Sequence, residues 1–306
     1  MAAGRDGRGS RSLDRLAVLA VFGLLMVMPS GVTRLASSDA RETGSARGTV
    51  RVLEVRGPTD RWDHPVWVWR PPGPDSAMIP VVYFLHGYPG KASDCFSHGL
   101  AEVLNLRLEE GYPPFVVACP DGNGERHSDT EWANSADGGE QVENRLLDAV
   151  IPTVEGARRR DAAHRAITGF SMGGYGAMNI AQQQPGTFGQ VVSIAGYFNV
   201  NDLSDMFGDL PAVVAANGPD AHAWRARGMH ILLDEDASDP EPLIRGQAKA
   251  FARLLAGYHI PATVRIQPGS HGWGYAESAL TGSFSFLDDG WQQAAEREAA
   301  WRRAKT

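Results

Sequence analysis

The sequence predicts an α/β domain built on an eight-stranded, mostly parallel sheet with helices on both faces and no large lid domain. The first observation is a series of short, continuously apolar runs at Pro80–Leu85, Phe115–Cys119, Arg165–Gly169, Val191–Ala195, His230–Leu233 and Thr263–Ile266. Unbroken apolarity suits strands covered on both faces, the environment of a parallel sheet. The second is the text between them, which has helical length and composition at Glu143–Glu155, Tyr175–Gln184 and Pro242–Leu255. The third is an opening pair of β-rich stretches, Thr49–Val55 and Pro65–Arg70. The latter alternates as Val66-Trp67-Val68-Trp69, as antiparallel strands at a sheet edge do. The tail, Trp291 to Thr306, reads as an Ala/Glu/Arg-rich helix that packs or frays.

A chain of 306 residues, 43% of them hydrophobic, can bury the core of one large domain. A net charge of -7 suggests no nucleic-acid partner. The two cysteines, Cys95 and Cys119, are too few for a zinc site and form no CxxC. Both fall near strand ends, and whether they are two thiols or one disulfide stays open.

Residues 1–40 read as a signal peptide or N-terminal anchor. Arg5, Arg8, Arg11 and Arg15 precede an apolar run, Leu16–Met28, of thirteen residues. That length is short for a membrane span and suits a secretory leader. Pro29-Ser30-Gly31 breaks the run, and Ser38 and Ala40 supply small residues for cleavage after Ala40. Residues 41–48 read as a flexible lead-in and residues 49–306 as the folded domain. The expected location is secreted or in the cell envelope, with membrane contact only through residues 16–28 if the leader is retained.

The chemistry lies in the loops after the strands, where ligands of parallel sheets bind. After Arg165–Gly169 comes Phe170-Ser171-Met172-Gly173-Gly174-Tyr175-Gly176-Ala177, opening a helix. A serine on such a turn needs small neighbours, here Gly169 and Gly173, and exposes its hydroxyl. This Gly169-Phe170-Ser171-Met172-Gly173 pattern between strand and helix is the nucleophile elbow of the α/β-hydrolase fold. The serine needs a base, and the base an orienting acid, in the chain order Ser, acid, His. Of the histidines after Ser171, His271 stands in a Gly-rich loop directly after the last strand. His230 starts a strand, His259 ends a helix, and His222 is a weak rival. The acid falls among Asp234, Glu235, Asp236 and Asp239, with Asp239 preferred for its place before Pro240 and Asp236 second. Without His271, a solvated acidic turn would be the default reading of this cluster. The oxyanion donors are expected to be the backbone amides of Met172 and, in His86-Gly87-Tyr88-Pro89-Gly90, of Tyr88. His86 is expected to support that turn rather than react. Trp132 and Trp273 are candidate substrate contacts as aromatics at the rim, or else aromatics packed beneath loops. No metal ligand set is evident.

These residues resemble the esterase D-type family of α/β hydrolases, which includes S-formylglutathione hydrolases and antigen 85 mycolyltransferases. The resemblance spans about residues 65 to 288. It is carried by Val82-Tyr83-Phe84-Leu85-His86-Gly87-Tyr88, Pro120-Asp121-Gly122, Gly169–Ala177, Ala216-Asn217-Gly218-Pro219 and Ser270-His271-Gly272-Trp273. It implies cleavage of carboxylic esters or thioesters through an acyl-enzyme on Ser171, with no cofactor. The Asp-Pro pair favours Asp239 over Asp236. The sequence departs from the family at Ala237-Ser238-Asp239, where glycine often precedes the acid, and after His271, where Gly272 replaces an aspartate. Two alternatives to a secreted esterase are an envelope acyltransferase acting on a sugar and a catalytically silent binding protein on the same scaffold.

Overall fold

The structure is a computed structural model and describes residues 47–200, 205–208 and 210–305. The leader, its apolar run and most of the lead-in lie outside these residues. Eight strands form one sheet: β1 (Thr49–Val55), β2 (His64–Arg70), β3 (Val81–Leu85), β4 (Val116–Pro120), β5 (Arg165–Phe170), β6 (Gln190–Ile194), β7 (His230–Asp236) and β8 (Thr263–Gln267). Their order is β1-β2-β4-β3-β5-β6-β7-β8. β1 and β2 pair antiparallel, as do β2 and β4, and all other neighbours are parallel. The strands are those the apolar runs predict, and the alternating Val66–Trp69 stretch lies next to edge strand β1.

The helices are α1 (Leu100–Glu109), α2 (Val142–Asn144), α3 (Ile151–Glu155), α4 (Met172–Gln183), α5 (Pro211–Ala216), α6 (Gln247–Gly257), α7 (Trp273–Gly282) and α8 (Phe284–Ala304). Strand residues alternate between two apolar layers, because successive side chains point to opposite faces. Val81, Tyr83 and Leu85 meet Leu146, Val154, Met178 and Phe251 on one face. Val82 and Phe84 meet Leu100, Leu104, Leu280 and Leu287 on the other. β3 and β5 are buried along their whole length, as strands covered on both faces must be.

Three sequence expectations change in detail. The helix expected over Glu143–Glu155 is interrupted by a π-helical stretch, Arg145–Val150. Pro152, two residues beyond it, has no N–H to complete a regular turn. The helix expected from Pro242 begins only at Gln247, because Gly246 adopts φ 83°. There the Glu235 carboxylate caps it, accepting from the amides of Gly246 (2.6 Å) and Ala248 (2.9 Å). Arg47 and Gly48, expected to belong to the lead-in, pack on the domain: the Arg47 guanidinium pairs with Glu102, and the Gly48 amide donates to Asn105 Oδ1 at 2.8 Å. Cys95 and Cys119 form a disulfide, which joins the 3₁₀ turn Ala92–Phe96 to β4. Among the described residues no helix is long and apolar enough to cross a membrane.

Candidate active site

The turn after β5 is built by close approach of backbones. A Cβ on Gly169 would lie 2.1 Å from the Gly173 carbonyl oxygen, and one on Gly173 2.1 Å from that of Leu85. Side chains at either position are therefore excluded, and α4 starts hard against β3 and β5. Ser171 sits at φ 56°, ψ -117°, a conformation costing a non-glycine residue about 1–3 kcal/mol. Two backbone bonds hold it: Ser171 N–H to Ile194 O at 2.9 Å, and Tyr175 N–H to Ser171 O at 3.0 Å. Ser193 Oγ donates to Gly174 O at 2.9 Å and ties the start of α4 to β6.

His271 Nε2 lies 3.0 Å from Ser171 Oγ, and its Nδ1 lies 2.9 Å from Asp239 Oδ2. The three side chains come from the loops after β5, β8 and β7 and meet at the carboxyl edge of the sheet. Asp239 is fully buried, and its other oxygen accepts the Glu241 amide at 2.8 Å. With both oxygens engaged as acceptors, the carboxylate favours an Nδ1–H on His271. Nε2 is then free to accept the serine proton. The Phe170 ring, 4.8 Å from the His271 ring, packs beside it.

The remaining acidic residues are not the solvated turn that is the alternative reading of the cluster. β7 runs on through Asp236, and Asp234, Glu235 and Asp236 are all buried. Each has structural partners: Asp234 takes Arg265, Tyr275 and Gln267, Glu235 caps α6, and Asp236 takes the Ser238 amide at 2.8 Å. Neighbouring carboxylates that read alike in sequence are thus sorted by strand alternation and by cap position.

The amide of Met172 is at the first position of α4, where a helix offers no internal acceptor. The Tyr88 amide makes no hydrogen bond among the described residues, and the Tyr88 side chain is half exposed. The loop carrying it passes close to the nucleophile: a Cβ on Gly87 would lie 3.1 Å from Ser171 Cβ. His86 is the strut beneath this loop. Its Nε2 accepts the Gly122 amide at 2.8 Å, which fixes the tautomer so that Nδ1–H donates to Gly87 O at 3.0 Å.

Trp132 is not at the rim, contrary to the substrate contact that the sequence suggests. It is 1% exposed, its Nε1–H donates to His86 O at 2.9 Å, and its ring fills the space left by Gly122 and Gly176. Its bulk packs the floor of the site. Trp273 is half-buried at the start of α7, stacked on His98 and near Phe84 and Phe170. Sequence reasoning missed Arg145, a buried guanidinium that binds the Asp60 carboxylate (3.1 Å) and Asn123 O (2.7 Å) beneath the site. A lone arginine within a helical run carries no signal of that. Among the described residues no group of three or more His, Cys, Asp or Glu could hold a metal ion.

Known structures place this architecture. A ferulic acid esterase superposes with a TM-score of 0.68 at 21% identity, covering 80% of this chain and 99% of its own. The S-formylglutathione hydrolase of Staphylococcus aureus follows at 0.65 and 18%, covering 79% and 100%. MPT51 of Mycobacterium tuberculosis matches at 0.62 and 17%, covering 79% and 98%. At these identities the likeness is one of fold, the α/β-hydrolase fold. The sequence itself matches the Esterase family model, described as Putative esterase, over residues 60–245. That span is more than half the chain and includes both Ser171 and Asp239, so the chain belongs to this family of carboxylic ester hydrolases.

Proposed function

We propose that this protein is an exported serine esterase that cleaves carboxylic esters through a Ser171–His271–Asp239 triad and an acyl-enzyme. The observation that carries the reading is the hydrogen-bonded chain from Asp239 through His271 to a serine held at positive φ. In the first step His271 Nε2 takes the proton of Ser171 Oγ as that oxygen attacks the ester carbonyl carbon. The carbonyl π electrons move onto oxygen, and the amides of Met172 and Tyr88 stabilise the oxyanion. Each such donor contributes about 2.7–4 kcal/mol in enzymes where one has been removed. Asp239 stabilises the imidazolium that forms. As the intermediate collapses, the C–O bond to the alcohol breaks and His271 returns the proton to the leaving oxygen. Water, losing a proton to the same imidazole, then attacks the acyl carbon; the bond from that carbon to Ser171 Oγ breaks, His271 returns the proton to Oγ, and the acid leaves.

Export is supported by the basic residues before the Leu16–Met28 run and by the small residues at Ser38 and Ala40. The Cys95–Cys119 disulfide fits an oxidising compartment. The catalytic reading is tested by Ser171→Ala, for which we expect kcat toward 4-nitrophenyl esters to fall on the order of 10⁵–10⁶-fold with an unchanged melting curve. Substantial turnover by that variant, free of other esterases, would rule the reading out.

A further inference from the structure

The loop that carries the Tyr88 amide is gripped on both sides of that residue by one short segment, residues 121–123, directly after β4. The Gly122 amide donates to His86 Nε2 at 2.8 Å, and the ring in turn holds Gly87 O from Nδ1 at 3.0 Å. On the other side, Asn123 Nδ2 donates to Gly90 O at 2.9 Å. The place of the Tyr88 amide is therefore set by whatever holds residues 121–123. His64, the first residue of β2, does so from below: its Nδ1–H donates to Asp121 Oδ2 at 3.3 Å. We propose that His64 is a positioning residue for ester cleavage, whose Nδ1–H orients Asp121 and, through Gly122 and Asn123, the oxyanion loop.

The hydrogen bonds around Asp121 divide the work. Oδ1 is taken by Asn123, whose backbone amide and Nδ2 donate to it at 3.3 and 2.7 Å. The two hydrogens of Asn123 Nδ2 thus go to Asp121 and to Gly90 O, so the carboxylate aims the very group that holds the loop. Among the described residues, the hydrogen bond to Oδ2 comes from His64. Arg145 bonds only backbone oxygens of this segment, those of Asp121 and Asn123, and leaves the carboxylate's direction to His64. Burial pushes the Asp121 carboxyl up, but the hydrogen bond from His64 leads the interactions that outweigh it and hold the group well below its ordinary value.

The two nitrogens of His64 are unequal in this. The ring is 3% exposed, and its Nε2 has no hydrogen-bond partner among the described residues; the nearest carboxylate there, Asp60 Oδ2, is 3.8 Å away. Asp60 is itself engaged, with the Gly57 amide at 2.7 Å and Arg145 at 3.1 Å. A donor is needed at the Nδ1 position, and one at Nε2 cannot replace it. The effect on turnover rests on the esterase reading, whereas the support of the loop does not.

The test compares three variants. His64→Asn puts an amide nitrogen where Nδ1 stands, His64→Gln puts one where Nε2 stands, and His64→Phe offers no donor. Turnover of 4-nitrophenyl butyrate, thermal melting and nitrogen NMR of the His86 ring are measured on the mature protein. A misplacement of about 1 Å costs up to 10²-fold in rate, so kcat should fall roughly tenfold or more in His64→Gln and His64→Phe at a KM within about twofold of wild type. His64→Asn should keep kcat within about threefold of wild type. The His86 spectrum should show a protonated Nδ1 and an accepting Nε2 in wild type and His64→Asn, with the two shifts drawn together in His64→Gln. If His64→Phe does not fold, the Asn and Gln variants, both polar, carry the comparison. A histidine that only packs would lower Tm in every variant and leave kcat per folded molecule unchanged. The proposal is overturned by that pattern, by a loss in His64→Asn as large as in His64→Gln, or by a His86 spectrum unchanged in His64→Gln. Absent turnover in the wild type, with the His86 spectrum responding as expected, would remove the esterase reading and leave the support by His64 standing.

Discussion

Replacing Asp239 by asparagine is expected to cost far more catalysis than stability, and the hydrogen bonds at this residue say why. Oδ2 faces His271 Nδ1 at 2.9 Å and Oδ1 accepts the Glu241 amide at 2.8 Å, so both positions require an acceptor. An asparagine has one acceptor and one donor. If its oxygen keeps the Glu241 amide, its NH₂ faces His271 and selects the tautomer with the proton on Nε2. That tautomer cannot take the Ser171 proton. If the amide flips, two donors meet at Glu241. The corresponding change in a well-studied protease lowers kcat about 10⁴-fold, roughly 5.4 kcal/mol of barrier at 1.36 kcal/mol per factor of ten. Asp236→Asn is the matched control. Its Oδ1 accepts from Ser238, and its Oδ2 is buried without a hydrogen-bond partner, so an asparagine NH₂ breaks no existing bond there. Steady-state kinetics with 4-nitrophenyl butyrate should show the large loss in kcat, at little changed KM, only for Asp239→Asn. A severe loss at Asp236→Asn beside a near-normal Asp239→Asn enzyme would refute the assignment.

Three further outcomes are expected. Gly173→Ala puts a methyl group 2.1 Å from the Leu85 carbonyl oxygen, an overpacking that should cost about 3 kcal/mol and roughly 6–12 °C in Tm. Glu155→Gln leaves the Arg165 guanidinium, now bonded to Glu155 at 2.6 and 2.8 Å, buried without its counter-charge, and chemical denaturation should register a loss of about 3 kcal/mol. Burial raises the Glu155 carboxyl, but Arg165 and the Arg160 amide outweigh it and hold the group below its ordinary value. Its stabilisation should therefore be complete above the unfolded carboxyl pKa of about 4.3 and be lost as pH falls through the lower folded value. Finally, intact mass of the exported protein should place the N-terminus near Arg41, and alkylation without reductant should add nothing to Cys95 or Cys119. Retention of Met1 would indicate an anchor.

The strands were legible because burial on both faces writes continuous apolarity, and the serine turn because its backbone tolerates only glycine at Gly169 and Gly173. His271 was legible from its place after the last strand. What sequence could not sort was the run Asp234-Glu235-Asp236. Alternation in β7 turns Glu235 toward the start of α6 and away from Asp234 and Asp236, and the Arg265 that pairs with Asp234 is distant in sequence. Trp132 misled for a similar reason. Its loop position suggested exposure, but Gly122 and Gly176 make a slot that only the fold brings together. His64 gave no signal at all, since a lone histidine at the start of a strand reads the same whether it packs or holds a partner.

The most direct test of the central claim is to react the mature protein with a fluorophosphonate and map the adduct by peptide mass spectrometry. One phosphonyl group on Ser171 is expected, forming slowly or not at all in His271→Ala. An adduct on another residue, or none while ester turnover continues, would contradict the account.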